Sequence, residues 1–548
     1  MPQDVADNSL TRVPSGPPYS VWSPRAKIFI IMSVATSALI SPFGATTYWP
    51  AMNLMSNELH ISPTLVNLSI TTYMIAQGIS PALIATMSDN SGRRLSFIIC
   101  FIIYMIANIG LALQTNYAAL LILRLIQAFG CSAAIALSIA VVSDIATSSE
   151  RGKYTGYSQA GIVMGTAFGP TVGGLLAQYL GWRSIFWFLA IFSGVMCIIF
   201  TIFFPETCRN VVGNGSIPAT GLNQSLLGYW QQRRQRKERG ETTSNATHEN
   251  KPRQKRKIPI PNPLRTLYIL GEKESAIVLL YNGFFFCGMM IVTGSLPYMY
   301  EQAYNLGTLQ IGLCYIAMGS GSVTAALSMG HVVDWNFRRH AKRVGLVIIK
   351  GKQQDLSNFP IEVVRCQIVL PGHIMATAAL IAFGWCMKFR THIAIPEVLL
   401  YFIGFGISTT FNTTNALLVD LHRDKPATAT AAVNFVRCMI SAGGVSVIIP
   451  MIQAMNPGWT FTFVGLIYVF WTSMLFLIMK RGQQWRNEKA QKEAEARAAR
   501  EAADIEKYSV AGSDHNDTKE ADMKASSVSG SDRSDTKDID MEEKGEKP

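Results

Sequence analysis

Hydrophobic positions along this chain fall in long, almost unbroken runs, without the short periodic stripes of a soluble domain. The runs repeatedly reach eighteen residues or more, and at about 1.5 Å per helical residue that length crosses the ~30 Å hydrocarbon layer of a membrane. Short polar turns separate them. The pattern predicts an all-α integral membrane fold with twelve transmembrane helices, over residues 27–47, 65–87, 95–113, 117–142, 154–179, 184–204, 276–299, 309–329, 366–387, 398–419, 427–452 and 460–479. An even number of crossings returns both termini to one side.

The turn between the second and third runs reads Asp89-Asn90-Ser91-Gly92-Arg93-Arg94. An acid, a glycine and two arginines cannot lie in hydrocarbon, so the turn marks a membrane surface. The paired arginines assign that surface to the cytosol by the positive-inside tendency. The spacing returns at Asp334-Trp335-Asn336-Phe337-Arg338-Arg339, again with a small residue four positions before the acid (Ala85 and Gly330). One polar turn written twice predicts two similar six-helix halves. The expected organisation is a disordered cytosolic N-terminus (1–26), an N-terminal half (27–204), a basic cytosolic linker (205–273) and a C-terminal half (274–480) with a cytosolic loop at 330–365. A charged, largely disordered cytosolic tail (481–548) follows. In the tail, 488–507 is rich in Ala, Glu, Lys and Arg and reads as helix without an apolar stripe, and the part beyond Tyr508 reads as disorder.

Composition and charge agree with a membrane protein. Of 548 residues 49% are hydrophobic and 15% charged, against about 25% charged in an average soluble chain. The net charge of +12 gathers between the runs: Arg25, Lys27, Arg93, Arg94, Arg151, Lys153, Arg423 and Lys425 all fall on the side of the termini. The loops at 48–64, 114–116 and 301–308 carry no Lys or Arg, with Arg183, Lys388 and Arg390 as exceptions on that side. Both termini are therefore expected in the cytosol. Basic clusters at 233–237 and 253–257 read as a loop near anionic lipid, in preference to a nuclear-localisation or nucleic-acid-binding signal. The nine cysteines are scattered with no CxxC or His/Cys grouping, so neither a disulfide framework nor a metal site is expected. The polar first 23 residues show no cleavable signal, which makes the first run a retained anchor. No His-rich or nucleophile–base arrangement points to a membrane enzyme.

Candidate chemistry lies in the polar residues within the runs. The sixth and twelfth runs are almost uniformly apolar and are expected to face lipid. Others carry Tyr73, Gln77, Arg124, Gln127, Asn282, Asn412, Asn415, Asn434 and Arg437; polar groups in hydrocarbon must find partners, so these helices line an interior or a wet cavity. Arg124 lies about seven residues, roughly 10 Å, inside the fourth run, with Gln127 one turn further on. An arginine at that depth costs at least ~2.5 kcal/mol to insert, so its default reading is functional. The alternative is a side chain that snorkels outward or bonds backbone carbonyls at a helix break. Arg437 sits near mid-depth in the eleventh run; its alternative is satisfaction by neighbours such as Asn434. Acids lie only near run ends, so two deep cations face no deep anion. That favours neutral or anionic cargo and leaves a coupling proton without a mid-membrane carrier. Asp144 ends the fourth run on the surface that carries Arg93, and with Asp89 the three would form a charge latch. In the fifth run Gly165, Gly169, Pro170, Gly173 and Gly174 present a small face that permits close backbone approach, and Pro170 permits a bend.

Together these residues resemble the major facilitator superfamily, in its twelve-span drug:proton antiporter branch. The stretch 85–94 is similar to the family's loop signature, Arg124-x-x-Gln127-x-x-Gly130 to its fourth-span signature, and 165–174 to its fifth-span antiporter signature. Pro205-Glu206-Thr207 also fits, and the segments 204–215 and 359–363 resemble the fungal quinidine-resistance and citrate-exporter group. Three departures stand out: Ala85 and Asn90 in the first loop, and Phe337 in place of a glycine in the second. The resemblance implies that spans 1, 4, 7 and 10 line a central cavity, that spans 2, 5, 8 and 11 flank it, and that Arg124 is linked to proton coupling.

The expectation is a secondary active transporter exporting a small organic molecule, such as a drug, secondary metabolite or organic acid. It would work by alternating access and proton-coupled antiport, with no cofactor beyond the proton gradient. Arg124, Gln127, Tyr73, Gln77, Asn282, Asn412, Asn415, Asn434 and Arg437 would bind substrate or couple protons, and Asp89, Gly92, Arg93, Arg94 and Asp144 would form the cytosolic gate. The protein is expected as a monomer in the plasma membrane, the vacuolar membrane being the second choice, with no nucleic-acid partner. A non-transporting nutrient or metabolite sensor and an uncoupled organic-anion facilitator stay open as other classes.

Overall fold

The computed structural model describes residues 20–146, 148–219, 221–238, 269–345, 359–422 and 426–528, and the regular structure among them is helical. Helix starts are written in short capping sequences. Ser23 and Ser62 each precede a proline at the first helical position, and each hydroxyl accepts a first-turn amide, Ala26 N at 3.3 Å and Leu65 N at 3.4 Å. Asn116 caps a third helix by accepting Ala118 N at 3.0 Å. The long helices are α1 (Pro24–Thr46), α2 (Pro63–Ser91), α3 (Arg93–Leu113), α4 (Tyr117–Ile145), α5 (Ser148–Leu180) and α6 (Arg183–Ile202) in the first half. In the second half they are α7 (Lys273–Tyr304), α8 (Thr308–Val344), α9 (Ile361–Lys388) and α10 (Ala394–Leu421), followed by the long segment Pro426–Val528.

Eleven described segments are long and apolar enough to cross a membrane. The last, Ala429–Glu488, is 60 residues long, about 90 Å as one helix and far more than one crossing needs. It is two crossings. The backbone leaves the helical region at Asn456 (φ 61°, ψ 163°), immediately before Pro457, because asparagine tolerates positive φ and a proline disfavours α geometry in the residue before it. The arms 426–455 and 457–528 are α11 and α12. Exposed apolar side chains line α6 (Ile191, Val195, Ile198) and α12 (Phe463, Leu466, Phe470), the two helices expected to face lipid.

The halves meet along two helix pairs, α2 with α11 and α5 with α8. Across the first, Asn67 Nδ2 donates to Val445 O at 2.5 Å, Thr71 Oγ1 to Ala442 O at 3.2 Å and Asn434 Nδ2 to Gln77 O at 2.9 Å. Across the second, Thr171 Oγ1 donates to Gly312 O at 3.2 Å, and Gly174 lies against Thr308 and Gly312 with no room for a larger side chain. These contacts run from mid-depth to the face opposite Arg93; the Arg93 face is called the basic face below.

Several boundaries differ from expectation. The loop at 48–64 is folded: a 3₁₀ turn and the short helix Met52–Glu58 bury Tyr48, Trp49 and Met55, and Asn53 Nδ2 donates to Pro297 O at 2.8 Å across the seam. The linker is not free from its start. Residues 204–219 and 221–223 fold against the 89–94 turn, and residues 20–23 join them through Val21 N, which donates to Asn214 O at 3.1 Å; most of the remaining linker, 239–268, lies outside the described residues. The 330–365 loop is also corrected. α8 runs unbroken through the second Asp-x-x-x-Arg-Arg to Val344 and stops at Gly345 (φ 73°), the first glycine after Gly330. The tail is helical past Tyr508, to Val528, although only 488–507 has the Ala, Glu, Lys and Arg content that favours helix locally. Residues 484–548 form a unit of their own.

Candidate functional site

Arg124 stands at the centre of the N-terminal half and is fully buried. Its guanidinium carbon lies 4.3 Å from the Tyr48 ring centroid and 4.5 Å from that of Tyr73, so two aromatic faces hold the cation. Nη1 donates to Gln127 Oε1 at 2.6 Å and to Gly44 O at 3.4 Å, while Nε and Nη2 have no hydrogen-bond acceptor. Gln127 Nε2 donates to Asn108 Oδ1 at 2.7 Å, and Asn108 Nδ2 to Tyr104 O at 2.7 Å. Tyr73 Oη donates to Ser41 O at 3.2 Å and lies 3.0 Å from Cys131 Sγ. The guanidinium therefore neither snorkels nor is saturated by carbonyls. It is a desolvated cation with two N–H vectors unused, a state that is unfavourable unless the aromatic faces, or an anion at some stage, compensate it.

Arg437 belongs to a second cluster. It is half-buried, its Nε and Nη2 donate to Asn434 Oδ1 at 3.2 and 2.8 Å, and its guanidinium carbon lies 4.7 Å from the Phe286 ring and 5.2 Å from Phe411. Asn282 Nδ2 donates to Thr414 Oγ1 at 2.7 Å on the neighbouring α7–α10 contact, and Asn282 Oδ1 and Asn415 Oδ1 are buried without a donor. Asn412 is exposed. Gln77 takes part through its backbone carbonyl, which accepts Asn434 Nδ2. The structure thus holds two aromatic–arginine clusters, one per half, with the exposed Asn412 in neither. The backbone of α2 joins them, from Tyr73 in the first cluster to Gln77 beside the second.

On the basic face Arg93 reaches two acids, Asp89 at 2.6 Å and Asp144 at 2.9 Å, and its Nη1 also donates to Ser88 Oγ at 2.8 Å. The Asp144 and Arg93 side chains are each 10% exposed, against 56% for Asp89, so the Asp144 pair is the stronger of the two. Arg94 does something else. Its guanidinium donates to Phe200 O and Thr201 O at 3.0 and 2.6 Å, satisfying carbonyls at the end of α6, and to Leu222 O at 2.7 Å in the 3₁₀ turn 221–223. Gly92 has φ 110°, and a Cβ there would overlap Glu206 Oε2, so glycine is required twice over.

Glu206 is the residue the sequence candidates left out. Buried to 3% exposure, it accepts Arg93 N at 2.8 Å, Arg94 N at 3.2 Å, Thr207 N at 3.0 Å and Cys208 N at 2.9 Å. The first two are orphan amides at the α3 N-terminus, where a carboxylate is favoured. Burial pushes its carboxyl above the usual carboxylate range, and those amides pull it part of the way back. Burial likewise raises the Cys208 thiol. The only cue in the sequence was Pro-Glu-Thr following an apolar run. A second omission lies in the other half, where Arg365 at the start of α9 pairs with Asp420 at the end of α10 at 2.9 Å. That pair, not the Asp334 repeat, matches the placement of Arg93 (start of α3) and Asp144 (end of α4).

The glycines of α5 serve mainly α1. A Cβ at Gly161, Gly169 or Gly173 would overlap Ala35 O, Thr46 Oγ1 or Thr47 O, and one at Gly165 would lie 2.8 Å from Leu39 O. The turn that follows, at Pro170 and Gly174, faces Gly312 of α8. One helix thereby packs backbone-to-backbone on its own half and on the other.

Twelve membrane crossings in two lobes, with deep arginine clusters and an ion-paired turn at one face, define a membrane transporter and not an enzyme. The chain belongs to the Major Facilitator Superfamily, whose family model matches residues 34–446. Relatives are fungal. It is 41% identical to MFS-type transporter phiD of Fungal sp. (strain ATCC 74256), covering 88% of this chain and 73% of the relative. It is 34% identical to Citrate exporter 1 of Aspergillus niger, covering 86% and 89%. Among solved structures it is similar to the partially occluded inward-open xylose transporter XylE from E. coli, with a TM-score of 0.56 at 14% identity over 82% of this chain and 97% of that one.

Proposed function

We propose that the protein exports a small organic molecule across the plasma membrane by alternating access, coupled to proton entry. The observation that carries this reading is Arg124: a buried guanidinium between Tyr48 and Tyr73 with Nε and Nη2 lacking acceptors. A site of that kind attracts a carboxylate or responds to a change of protonation nearby. Similarity to a citrate exporter supports an organic-acid cargo. Rocking of the halves would open the basic face while the α2–α11 and α5–α8 contacts hold the opposite face closed, and then reverse. Asp89, Arg93 and Asp144 make and break the latch at the basic face, with Glu206 fixing the turn that presents Arg93.

The test combines a variant with an energy source. Arg124→Gln should insert normally and lose efflux, and a protonophore should collapse efflux by the parent protein. Normal export by Arg124→Gln removes that residue from the mechanism. Protonophore-insensitive export points to an uncoupled organic-anion facilitator. Comparing compounds that accumulate in cells with and without the protein identifies the cargo.

A further inference from the structure

Helices α8 and α9 both pack on α10 but touch each other little, leaving a cleft of about 350 Å³ between them near the basic face. Its walls and floor are apolar over most of their length: Val332 from α8, Ile368 and Met375 from α9, and Phe405 from α10. Leu327 and Ile374, on the two flanking helices, are 72% and 60% exposed, as side chains facing hydrocarbon are. Trp335 and Arg339 stand at the other end, the guanidinium carbon 5.4 Å from the indole ring. From Arg339 to Met329, which also lines the cleft, the helix rises about 15 Å.

The mouth is strongly basic. Because α8 continues past the expected loop, its last turns carry Arg338, Arg339, Lys342 and Arg343 exposed, with Asp334 the lone carboxylate on the stretch 330–344. No ion pair is recorded for these four cations among the described residues. The extension is held in place by Asn336 Nδ2, which donates to Val364 O at 2.8 Å, and by a His340–Gln367 contact at 2.9 Å. An apolar channel open to the bilayer, ending at a cation beside a tryptophan at interfacial depth, fits one kind of molecule.

We propose that this cleft binds an anionic phospholipid from the leaflet at the basic face, one acyl chain lying along Val332 and Phe405 and the phosphate meeting Arg339. A zwitterionic lipid such as phosphatidylcholine has no net charge and gains less from the arginine. The site stands apart from Arg124 and Arg437 and holds whatever the cargo is.

Brominated acyl chains quench tryptophan on contact, so Trp335 reports occupancy directly. The full-length protein is placed in nanodiscs of phosphatidylcholine doped with brominated-chain phosphatidylserine or, at equal mole fraction, brominated-chain phosphatidylcholine. The quenching lost in Trp335→Phe isolates the signal from this position. That signal should be about fivefold more sensitive to the serine lipid, the preference expected from one interfacial cation. Arg339→Gln should abolish the preference, and Arg338→Gln, which removes the same charge outside the cleft, should leave it. Equal quenching by the two lipids overturns the proposal. So does an equal loss in both arginine variants, which would make the attraction a property of the basic surface as a whole.

Discussion

Glu206→Ala tests whether one buried carboxylate holds the basic-face turn together. The substitution removes the acceptor for four amides, those of Arg93, Arg94, Thr207 and Cys208. A buried donor left unmade costs about 1–3 kcal/mol and a lost N-cap about 1 kcal/mol, while relief of the buried charge returns part of the total. A net loss of about 3 kcal/mol raises the open population of the clasp roughly 150-fold, at tenfold per 1.36 kcal/mol. Cys208 is the natural reporter: it is 1% exposed, lies outside the spans, and its thiol contacts Asp89 O at 3.7 Å. Maleimide labelling in intact membranes, quantified at Cys208 by mass spectrometry at one fixed pH, should accelerate about 150-fold in Glu206→Ala if it follows that open population.

Glu206→Gln should fall between, because one amide oxygen still accepts while the NH₂ faces donors. The sign of the pH effect follows from the raised carboxyl. Its contribution to folded stability is fully present below the ordinary carboxylate value and is lost as pH rises through the folded value. Melting curves of the parent should show that loss, and Glu206→Gln should lack it. An unchanged Cys208 labelling rate in a well-inserted Glu206→Ala protein would refute the clasp.

The remaining predictions concern the latch, the glycine helix and the tail. Asp144→Ala should lower thermal stability by the equivalent of about 3 kcal/mol and Asp89→Ala by less than about 1 kcal/mol; equal losses would contradict the difference in their exposure. Exchanging the charges, Arg93→Asp with Asp144→Arg, should restore part of the transport that either change removes, and complete absence of rescue would argue against direct pairing. Gly173→Ala should prevent stable assembly, since its Cβ would overlap Thr47 O, whereas Gly156→Ala, with nothing within 4 Å, should behave as the parent in fluorescence-detected gel filtration. Deleting 484–548 should leave efflux intact; loss of a nutrient response with efflux never present would instead mark a sensor.

The membrane fold could be read from the sequence because dehydrated backbone allows so few solutions: a long apolar run is a helix or it is not in the membrane. Run lengths and a doubled turn were enough to predict twelve crossings in two halves. The second turn, however, shows where spacing stops being structure. Asp334 to Arg339 matches Asp89 to Arg94 in its charges, yet Gly92 adopts φ 110° where the second copy has Phe337. With Phe337 in place of that glycine, α8 continues until Gly345, and its arginines are carried beyond the helix packing to an exposed surface. The ion pair that occupies the equivalent place is instead Arg365 with Asp420, one arginine and one acid among many near run ends, with no spacing to join them before the helices are packed. Glu206 was hidden for the same reason, since a polar residue just past a run reads as linker until the amides of α3 are seen to point at it. Charge spacing alone therefore did not separate the two similar turns, while the single conformational demand at position 92 decides which of them pairs its arginine with an acid at the end of α4.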